Sequence, residues 1–573
     1  MSVRRVMGLE TEYGILAPGQ EGASSTALSA AVVGAYAHGL RGEPGLAATV
    51  WDYSDETPLQ DARGWRLARE AAHASQLTDE PRELTAEEVA LAAPQEGAST
   101  AAPPSNVLYD DALYRSSPHA PMTAAGRLGE HLGAEHVVMN MVLGNGARLY
   151  VDHAHPEYSS PEVTNPLDAV LWDQAGDAIT LAAAERLAEH GHEVLLYKNN
   201  TDNKGVSYGA HENYLVPRDV EFGRLAAGLL PYFATRQVFC GSGRVGVGRE
   251  GQTPGFQLSQ RADFFEAQVG LETTVRRPLV NTRDEPHATW TRSRRLHVIA
   301  GDANLGQVST YLRAGVTAVV LTLIEAGAEP AVELRDPVAA VAAISHDPTL
   351  RATVETVDGR RLTALDIQQL YLDAARSHDA ARQDQCAASD PQTSDVLDRW
   401  QATLDGLRRD VFSQSATVDW VTKFHLMESY RQRHGLGYDD PRLAAMDLQW
   451  ADLRPSTGLY RRLQARGRVE QLVSDDAIAR AVQLPPSDTR AYVRGRTLSR
   501  YREHVVGANW DSLALAVPGR RGVQRVRLQD PDVGTADHLG DVFEREMELA
   551  EFVDTVAARL DAAAPPAARK GQP

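Results

Sequence analysis

A short segment near residue 150 alternates polar side chains that could act together in catalysis. Residues 148–152 have the composition of a strand, and successive side chains of a strand point to opposite faces. Arg148, Tyr150 and Asp152 are therefore predicted to share one face, and Glu157 follows shortly after them. A strand that only had to pack would carry apolar side chains at those positions. This pattern favours a site for phosphate and a hard metal ion.

A second strand, near the amino terminus, carries two carboxylates. Residues 6–15 read as a strand with Glu10 and Glu12 on one face, roughly 7 Å apart along the strand. Two buried carboxylates at this spacing repel each other, and a divalent cation between them relieves the repulsion. The alternative is that the pair lies on the solvent face of an edge strand.

Two further stretches repeat the alternation. His211 and Asn213 are predicted on one side of a strand, and Arg283, Glu285 and His287 alternate in another stretch. A lone histidine is more often a packed or surface residue than a ligand, so neither stretch decides anything alone. Several segments that each present Glu, Asp, His, Asn or Arg favour Mg²⁺ or Mn²⁺ together with the phosphates of a nucleotide.

The elements that must position these residues are also visible in the sequence. Pro166 is predicted to open an amphipathic helix that follows the strand at 148–152 and backs the sheet. A second helix is predicted from Ser309 to Ala328, and helical patterns dominate from Ala364 to Leu472. Residues Thr78 to Asn106, first rich in Glu and then in Ala, Pro and Ser, are predicted to be mobile.

Six blocks of sequence carry a resemblance to a known family. They are GLETEYG at 8–14, NGARLYVDHAHPEYS at 145–159, KNN at 198–200, HENYL at 211–215, TRDEPHA at 282–288 and RRLHV at 294–298. In this order they resemble the Pup ligase and depupylase family, which is related to the glutamine synthetases and other carboxylate-amine ligases. The resemblance runs from about residue 4 to about residue 555.

Further blocks resemble the depupylase branch of that family more than its ligase branch. They are WDY at 51–53 with PLQDARG at 58–64, VDHAH at 151–155, GSGRVG at 241–246 and NWDS at 509–512. The first of these also opens the long insertion by which depupylases differ from the ligases.

The resemblance implies an α+β fold. A curved antiparallel sheet like that of glutamine synthetase would form a cradle packed with helices, and a small C-terminal α/β domain would follow. The predicted catalytic domain covers residues 1–484, with an inserted loop at about 65–140. The C-terminal domain is predicted at 485–560 and a disordered tail at 561–573.

The resemblance also implies a role for each site residue. Asp152 matches the catalytic aspartate, which acts as nucleophile or as base. Magnesium ligands are implied at Glu10, Tyr150 and Glu157, with the imidazoles of His211 and His287. Nucleotide contacts are implied at Arg148, Ser159, Ser160, Asn213, Arg283 and Trp510, the last by stacking on the base.

The implied activity is ATP- and Mg²⁺-dependent depupylation. The enzyme would hydrolyse the isopeptide bond between the C-terminal Glu of the tagging protein Pup and a substrate lysine, and would deamidate the C-terminal Gln of Pup. Either Asp152 or a bound phosphate could attack, and ADP and phosphate would stay in place after ATP is hydrolysed. The alternatives are an ATP-driven Pup–protein ligase, and a nucleotide-loaded binding protein without turnover.

Charge and composition limit the partners. The 573 residues include 58 basic and 77 acidic side chains, for a net charge of −19, which argues against general nucleic-acid binding. Pup and pupylated proteins are the implied partners, in connection with the bacterial proteasome system. Because Pup is itself acidic, its binding requires a locally basic groove. One candidate strip is Arg461-Arg462 with Arg466 and Arg468, although these arginines could equally form a solvated helix face.

A cytoplasmic location without a membrane partner is predicted. Two cysteines, Cys240 and Cys386, exclude a disulfide framework and a multi-cysteine zinc site. Glu10 interrupts the region where a signal peptide would need apolar residues. The longest apolar run, from Ala314 to Ile324, is shorter than the roughly 20 residues of a membrane span.

Overall fold

A computed structural model describes most of the chain. The described residues are 2–20, 23–41, 51–52, 56–68, 107–109, 140–202, 206–246, 254–274, 276–383 and 390–564. The segment Thr78–Asn106, predicted to be mobile, lies outside them.

The strands of the described residues are numbered in chain order. They are β1 Met7–Glu12, β2 Gly14–Leu16, β3 Val107–Tyr109, β4 Asn140–Val142, β5 Arg148–Asp152, β6 His155–Ser159, β7 Leu195–Tyr197, β8 Ala210–Pro217, β9 Arg244–Gly246, β10 Gly255–Gln257, β11 Ala267–Gly270, β12 Pro278–Asn281, β13 Ser293–Val298, β14 Thr353–Glu355, β15 Arg361–Thr363, β16 Val505–Ala508, β17 Ser512–Leu515 and β18 Gln524–Arg527.

The α-helices of the same residues are numbered likewise. They are α1 Ser25–Arg41, α2 Pro166–Glu189, α3 Phe222–Thr235, α4 Gln237–Cys240, α5 Gln307–Ala326, α6 Pro337–Ser345, α7 Ala364–Gln383, α8 Pro391–Arg409, α9 Asp419–His434, α10 Pro441–Ala451, α11 Leu459–Gln464, α12 Asp475–Gln483, α13 Ala491–Tyr501, α14 Ala536–Glu544 and α15 Leu549–Ala563. Short 3₁₀ turns lie at Ala262–Phe264, Val411–Gln414 and Arg502–His504.

A six-stranded sheet organises the molecule. Its strand order is β13-β8-β1-β6-β5-β4, and every neighbouring pair is antiparallel. With helices packed against this sheet, the α+β fold predicted from the sequence is confirmed.

The strand predicted around residue 150 is one arm of a hairpin. β5 ends at Asp152 and the chain reverses at once, with His153 in the left-handed region at φ 52°. β6 then returns alongside, so that Tyr150 lies opposite Glu157. Alternation predicted the shared face of β5 correctly, but Glu157 lies beside Tyr150 on the returning strand and does not extend the same strand.

Helix α2 covers the face of this sheet that lies opposite the face carrying Arg148, Tyr150 and Asp152. It begins as predicted at Pro166, and the side chain of Asn165 caps it by accepting a hydrogen bond from the backbone N–H of Asp168. Gly176 lets the helix approach closely, since a Cβ there would lie 2.3 Å from the ring of Tyr158 on β6. The negative charge of Asp173 on α2 is balanced by buried Lys198, whose Nζ lies 2.7 Å from the Asp173 carboxylate.

Helix α5 lies in the core. Within the described residues it is long and apolar enough to cross a membrane by length and composition, but 94% of its apolar window is buried inside the protein. The helix is longer than the apolar run from Ala314 to Ile324 noted in the sequence. Its burial is typical of a helix in a protein core.

A second sheet, which we call the C-terminal sheet, contains strands from distant parts of the chain. Its order is β16-β17-β18-β3, and it packs with α13, α14 and α15 around a separate apolar cluster. β3 comes from the predicted insertion, since Val107–Tyr109 pair with β18. The predicted tail at 561–573 begins too early, because α15 continues through Ala563, and residues 565–573 lie outside the described part of the chain.

Candidate active site

Polar side chains form a row across four strands of the six-stranded sheet. The registers place His211 opposite Glu10, Glu10 opposite Ser159, and Ser159 opposite Arg148. Directly opposed residues of antiparallel strands point to the same face. The row therefore brings two predicted metal ligands, Glu10 and His211, and two predicted nucleotide contacts to one surface, which we call the front face.

A second row runs beside the first. Glu12 lies opposite Glu157, and Glu157 lies opposite Tyr150. One step further along the hairpin, Asp152 lies opposite His155. The front face thus contains the predicted catalytic aspartate and all three predicted acidic or phenolic magnesium ligands.

Glu10 is the centre of one group of donor atoms. The ligand atoms of Glu10, His211 and His297 lie within 4.8 Å of one another. His211 Nδ1 is 3.1 Å from Oε2 of Glu10, and the Asn213 amide donates to Oε1 at 2.7 Å. Burial alone would raise the pKa of Glu10, but the hydrogen bond from His211 and nearby positive charge such as Arg295 outweigh it and lower that pKa. Glu10 is therefore a carboxylate at neutral pH.

Three carboxylates form the second group of donor atoms. Those of Glu12, Asp152 and Glu157 also lie within 4.8 Å of one another. Glu157 is 1% exposed, and its Oε1 has no hydrogen-bond partner among the described residues. Burial and the charges of the neighbouring carboxylates raise the pKa of Glu157 well above its usual range. A crowded, oxygen-only set of this kind, in which Glu12 and Glu157 are buried, fits Mg²⁺ or Mn²⁺.

Asp152 is both charged and accessible. His153 Nδ1 lies 2.9 Å from its carboxylate, and the side chain of Asp152 is 28% exposed. Burial would raise the pKa of Asp152, but the hydrogen bond from His153 and the charges of His153, His211 and Arg148 lower it. Asp152 is therefore available at neutral pH as a nucleophile, a base or a metal ligand.

Arg148 and Tyr150 lie against each other on β5. The guanidinium carbon of Arg148 is 3.8 Å from the centre of the Tyr150 ring, and Arg148 Nε donates to Oδ1 of Asn140 at 3.0 Å. Burial and the charge of Glu157 raise the pKa of Tyr150 well above its usual range. Its phenol oxygen would therefore meet a cation as a neutral donor.

A pocket opens beside the first donor group. Six predicted site residues line it, namely Glu10, Ser159, Ser160, Asn213, His287 and Trp510. Glu162 also lines the pocket and forms buried ion pairs with Arg490, at 2.7 Å, and with Arg494. The structure thus joins residues of the first sheet to Trp510 of the C-terminal sheet around one cavity.

Ser160 and Arg283 have other contacts at the edge of this region. The Ser160 hydroxyl accepts from the backbone of Leu9 at 2.9 Å, and Arg283 Nε donates to Glu285 at 2.6 Å. Glu285 lies 3.5 Å from Arg295, which in turn is 4.0 Å from Glu10. Arg283 is therefore linked to the first donor group through a chain of charges, and its contact with a nucleotide stays a prediction.

His287 lines the pocket but belongs to neither donor group formed by the described residues. Its backbone adopts φ 42°, and its carbonyl accepts from Arg490. Burial and the positive charge of Arg295 lower the pKa of His287 to about 3. The imidazole is thus neutral, as a metal ligand must be, and its role as a ligand stays a prediction.

Sequence reasoning assigned no role to two residues of the site: His297, which belongs to the first donor group, and Arg295, which is paired with Glu10 and Glu285. It predicted a divalent cation between Glu10 and Glu12, but the structure places Glu12 in the second donor group, with Asp152 and Glu157. The available signal was alternation, because Arg295 and His297 share one face of β13 just as Glu10 and Glu12 share one face of β1.

In the candidate basic strip at 461–468, the charge of Arg461 is already paired within the protein, since Arg461 lies 2.8 Å from buried Asp177.

Comparison with known proteins gives strong matches along the chain. The family profile described as Pup-ligase protein matches residues 5–514. The depupylase of Acidothermus cellulolyticus is 48% identical over 555 residues, which cover 96% of this chain and 99% of the relative. The Pup deamidase/depupylase of Mycobacterium tuberculosis is 43% identical over 563 residues, covering 97% and 99%.

Two solved structures have a similar fold. The ligase PafA in its complex with the prokaryotic ubiquitin-like protein Pup superposes with a TM-score of 0.70 at 29% identity, covering 99% of this chain and 93% of that one. The Pup ligase PafA in complex with ADP gives 0.65 at 36% identity, covering 74% and 93%. The chain is thus similar in sequence to depupylases over nearly its whole length and similar in fold to Pup ligases.

Proposed function

Since the chain belongs to the Pup-ligase protein family, we propose that it is an ATP- and Mg²⁺-dependent depupylase that also deamidates Pup. The observation that carries this proposal is near-full-length identity to proteins named depupylase and Pup deamidase/depupylase. Pup and pupylated proteins are then its partners. The nucleotide assignment is supported by the similar ligase structure that contains ADP.

The front face supplies the ligands for the proposed cations. Glu10, His211 and His297 form one donor set, and the three carboxylates of the second group form another. The repulsion among those buried carboxylates is what a divalent cation would relieve. Bound Mg²⁺ would hold phosphate oxygens and polarise the amide carbonyl.

Asp152 carries the proposed chemistry. In one route its carboxylate adds to the carbonyl carbon of the isopeptide, and the lysine amine leaves after taking a proton from solvent. Water then hydrolyses the resulting acyl-aspartate, which releases the glutamate carboxylate of Pup and regenerates the carboxylate of Asp152. In the other route Asp152 orients or deprotonates an attacking water or phosphate. Deamidation follows the same course with ammonia as the leaving group. His153 holds the carboxylate of Asp152 in position through the 2.9 Å contact.

Pup–protein ligation is the second candidate function. The observation that favours it is that the two solved structures compared above are PafA ligases. Against it stand the depupylase-like blocks at 51–64 and 509–512. The cytoplasmic location and the connection to the bacterial proteasome system remain predictions from the sequence.

One assay separates the candidate functions. The full chain is incubated with ATP and Mg²⁺ plus a Pup conjugate, Pup ending in Gln, or Pup ending in Glu with a lysine-bearing acceptor, and masses are followed over time. We expect free Pup from the first and deamidated Pup from the second, with both products lost in Asp152→Asn. The matched control is Asp398→Asn, at a carboxylate that is 72% exposed on α8 and should keep full activity.

Other outcomes of this assay would contradict the proposal. Conjugates formed from Pup ending in Glu, without release from the first substrate, would establish the ligase. Binding of ATP and Pup with no change in any mass would establish a binding protein without turnover.

A further inference from the structure

Trp51 contacts two of the residues proposed for the nucleotide. The guanidinium carbon of Arg148 lies 3.9 Å from the centre of the Trp51 ring. The ring of Trp510 meets Trp51 edge-on, with 5.2 Å between centroids. Trp51 is only 2% exposed, so its ring is shielded from water, while Arg148 is partly buried.

The guanidinium of Arg148 is therefore enclosed by two aromatic rings. Tyr150 lies 3.8 Å from it and Trp51 lies 3.9 Å from it. Cation–π contacts strengthen when water is excluded, and a planar guanidinium stacks well on aromatic faces. With Nε bonded to Asn140 at 3.0 Å, the side chain of Arg148 is held in one orientation before any ligand arrives. Holding a phosphate-binding group in place reduces the entropy lost on binding.

The position of Trp51 is itself fixed by other parts of the chain. Its indole Nε1 donates to Glu56 at 2.7 Å. The next residue, Asp52, donates its backbone N–H to Ala508 of β16 at 2.9 Å and forms an ion pair with Arg525 of β18. Trp51 thus connects the segment that precedes the insertion to both the C-terminal sheet and the front face.

We propose that Trp51 is a positioning residue of the nucleotide site, which it serves by fixing the guanidinium of Arg148 and supporting the ring of Trp510. This inference rests on the proposed function, since it takes Arg148 and Trp510 as nucleotide contacts. Because binding linkage is reciprocal, nucleotide bound at Arg148 should in turn tighten the attachment of Trp51.

The direct test is the affinity of the full chain for ADP, measured by isothermal titration calorimetry. Trp51→Leu should raise the Kd for ADP about tenfold, as expected for the loss of a desolvated cation–π contact. Trp51→Phe keeps an aromatic face and should restore most of the affinity. The matched control is Trp65→Leu, since Trp65 also contacts an arginine, Arg63, at 5.2 Å but is 43% exposed. Its ADP affinity should equal that of the wild type.

Steady-state kinetics of Pup release distinguishes positioning from a general structural defect. Trp51→Leu should raise the KM for ATP about tenfold and leave kcat at saturating ATP within about twofold of the wild type. Equal ADP affinity in Trp51→Leu and the wild type would overturn the inference. A fall in kcat with an unchanged KM would overturn it as well.

Thermal unfolding without nucleotide first establishes that each variant is folded. If Trp51→Leu is unfolded, Trp51→Met takes its place, because Met fills space without an aromatic face. Weaker ADP binding by Trp51→Met than by Trp51→Phe then supports the inference, and equal binding overturns it. A wild-type protein that binds ADP without releasing Pup would overturn the proposed function alone, since ADP affinity tests Trp51 independently of Pup.

Discussion

The two faces of the six-stranded sheet differ sharply although they alternate along the same strands. On the back face, Leu9, Leu149 and Tyr158 are almost fully buried against helices. On the front face, the carboxylates of Glu12, Asp152 and Glu157 lie close together, and the pKa of Glu157 is raised by burial and neighbouring charge. The back face stabilises the fold, whereas ionised Glu157, with its raised pKa, reduces stability at neutral pH. Mutations of Leu149 and of Glu157 should therefore have opposite effects on stability.

The largest change in stability is expected on the back face. Leu149→Ala should lower the free energy of unfolding by about 2–5 kcal/mol, since it leaves a cavity in the core. Urea unfolding followed by circular dichroism measures the change. The control is Leu448→Ala, at a side chain that is 38% exposed and should change stability by less than about 0.5 kcal/mol. Equal effects of the two variants would show that the back face is not the stabilising one.

Glu162, a largely buried acid paired with Arg490 and Arg494, contrasts with the crowded carboxylates of the front face. Burial would raise the pKa of Glu162, but Arg494 and Arg490 lower it to about 2. Its ionised form therefore stabilises the protein above the usual pKa of 4.5, and this contribution is lost as the pH falls towards 2. Glu162→Gln should remove on the order of 3 kcal/mol at neutral pH.

Denaturant unfolding at several pH values checks this prediction. The difference in unfolding free energy between the wild type and Glu162→Gln should shrink as the pH falls below about 4.5. A difference that is the same at pH 7 and at pH 3 would show that ionised Glu162 has no such role.

Metal binding should offset the repulsion among the front-face carboxylates and so increase the stability of the folded protein. Mg²⁺ at about a hundredfold excess over its Kd should stabilise the protein by about 2.7 kcal/mol, and chelation with EDTA should remove the gain. Thermal unfolding measures both effects. Glu157→Gln should lose the part of the response that the second donor group provides, whereas Glu185→Gln, at an exposed position on α2, should keep the full response. A full Mg²⁺ response in Glu157→Gln would remove the second donor group from the metal site.

The smallest effect has the opposite sign to that on the back face. Without metal, Glu157→Gln should raise the unfolding free energy at neutral pH by about 1 kcal/mol, since a carboxyl with a raised pKa destabilises the folded state at pH values above its unfolded pKa. The gain should vanish below about pH 4.5, where the unfolded chain is also protonated. Urea unfolding in EDTA at pH 7 and pH 4 measures it, and a loss of stability at pH 7 would contradict the comparison.

Local periodicity predicted which side chains share a face but could not predict their neighbours. The alternation of Glu10 with Glu12, and of His211 with Asn213, was readable because strand side chains repeat every two residues. That Glu12 lies opposite Glu157 depends on strand order and register, for which one sequence carries no local signal.

Contacts between distant segments were beyond the sequence for the same reason. Glu162 and Arg494 are 332 positions apart, and nothing near either residue indicates the other. Trp51 lies within a block of family resemblance, but its contact with Arg148 could not be predicted because it joins two distant segments of the chain. The fold class was predicted through family resemblance, whereas the contacts between distant residues are visible only in the three-dimensional structure.

The C-terminal sheet draws strands from both ends of the polypeptide. Its edge strand β3 comes from residues 107–109 and covers β18, and Trp51 forms a parallel bridge to Ala508. A fragment of residues 485–560 expressed alone would leave the edge of β18 bare, and unpaired edges recruit other strands. Such a fragment should self-associate by pairing edge to edge.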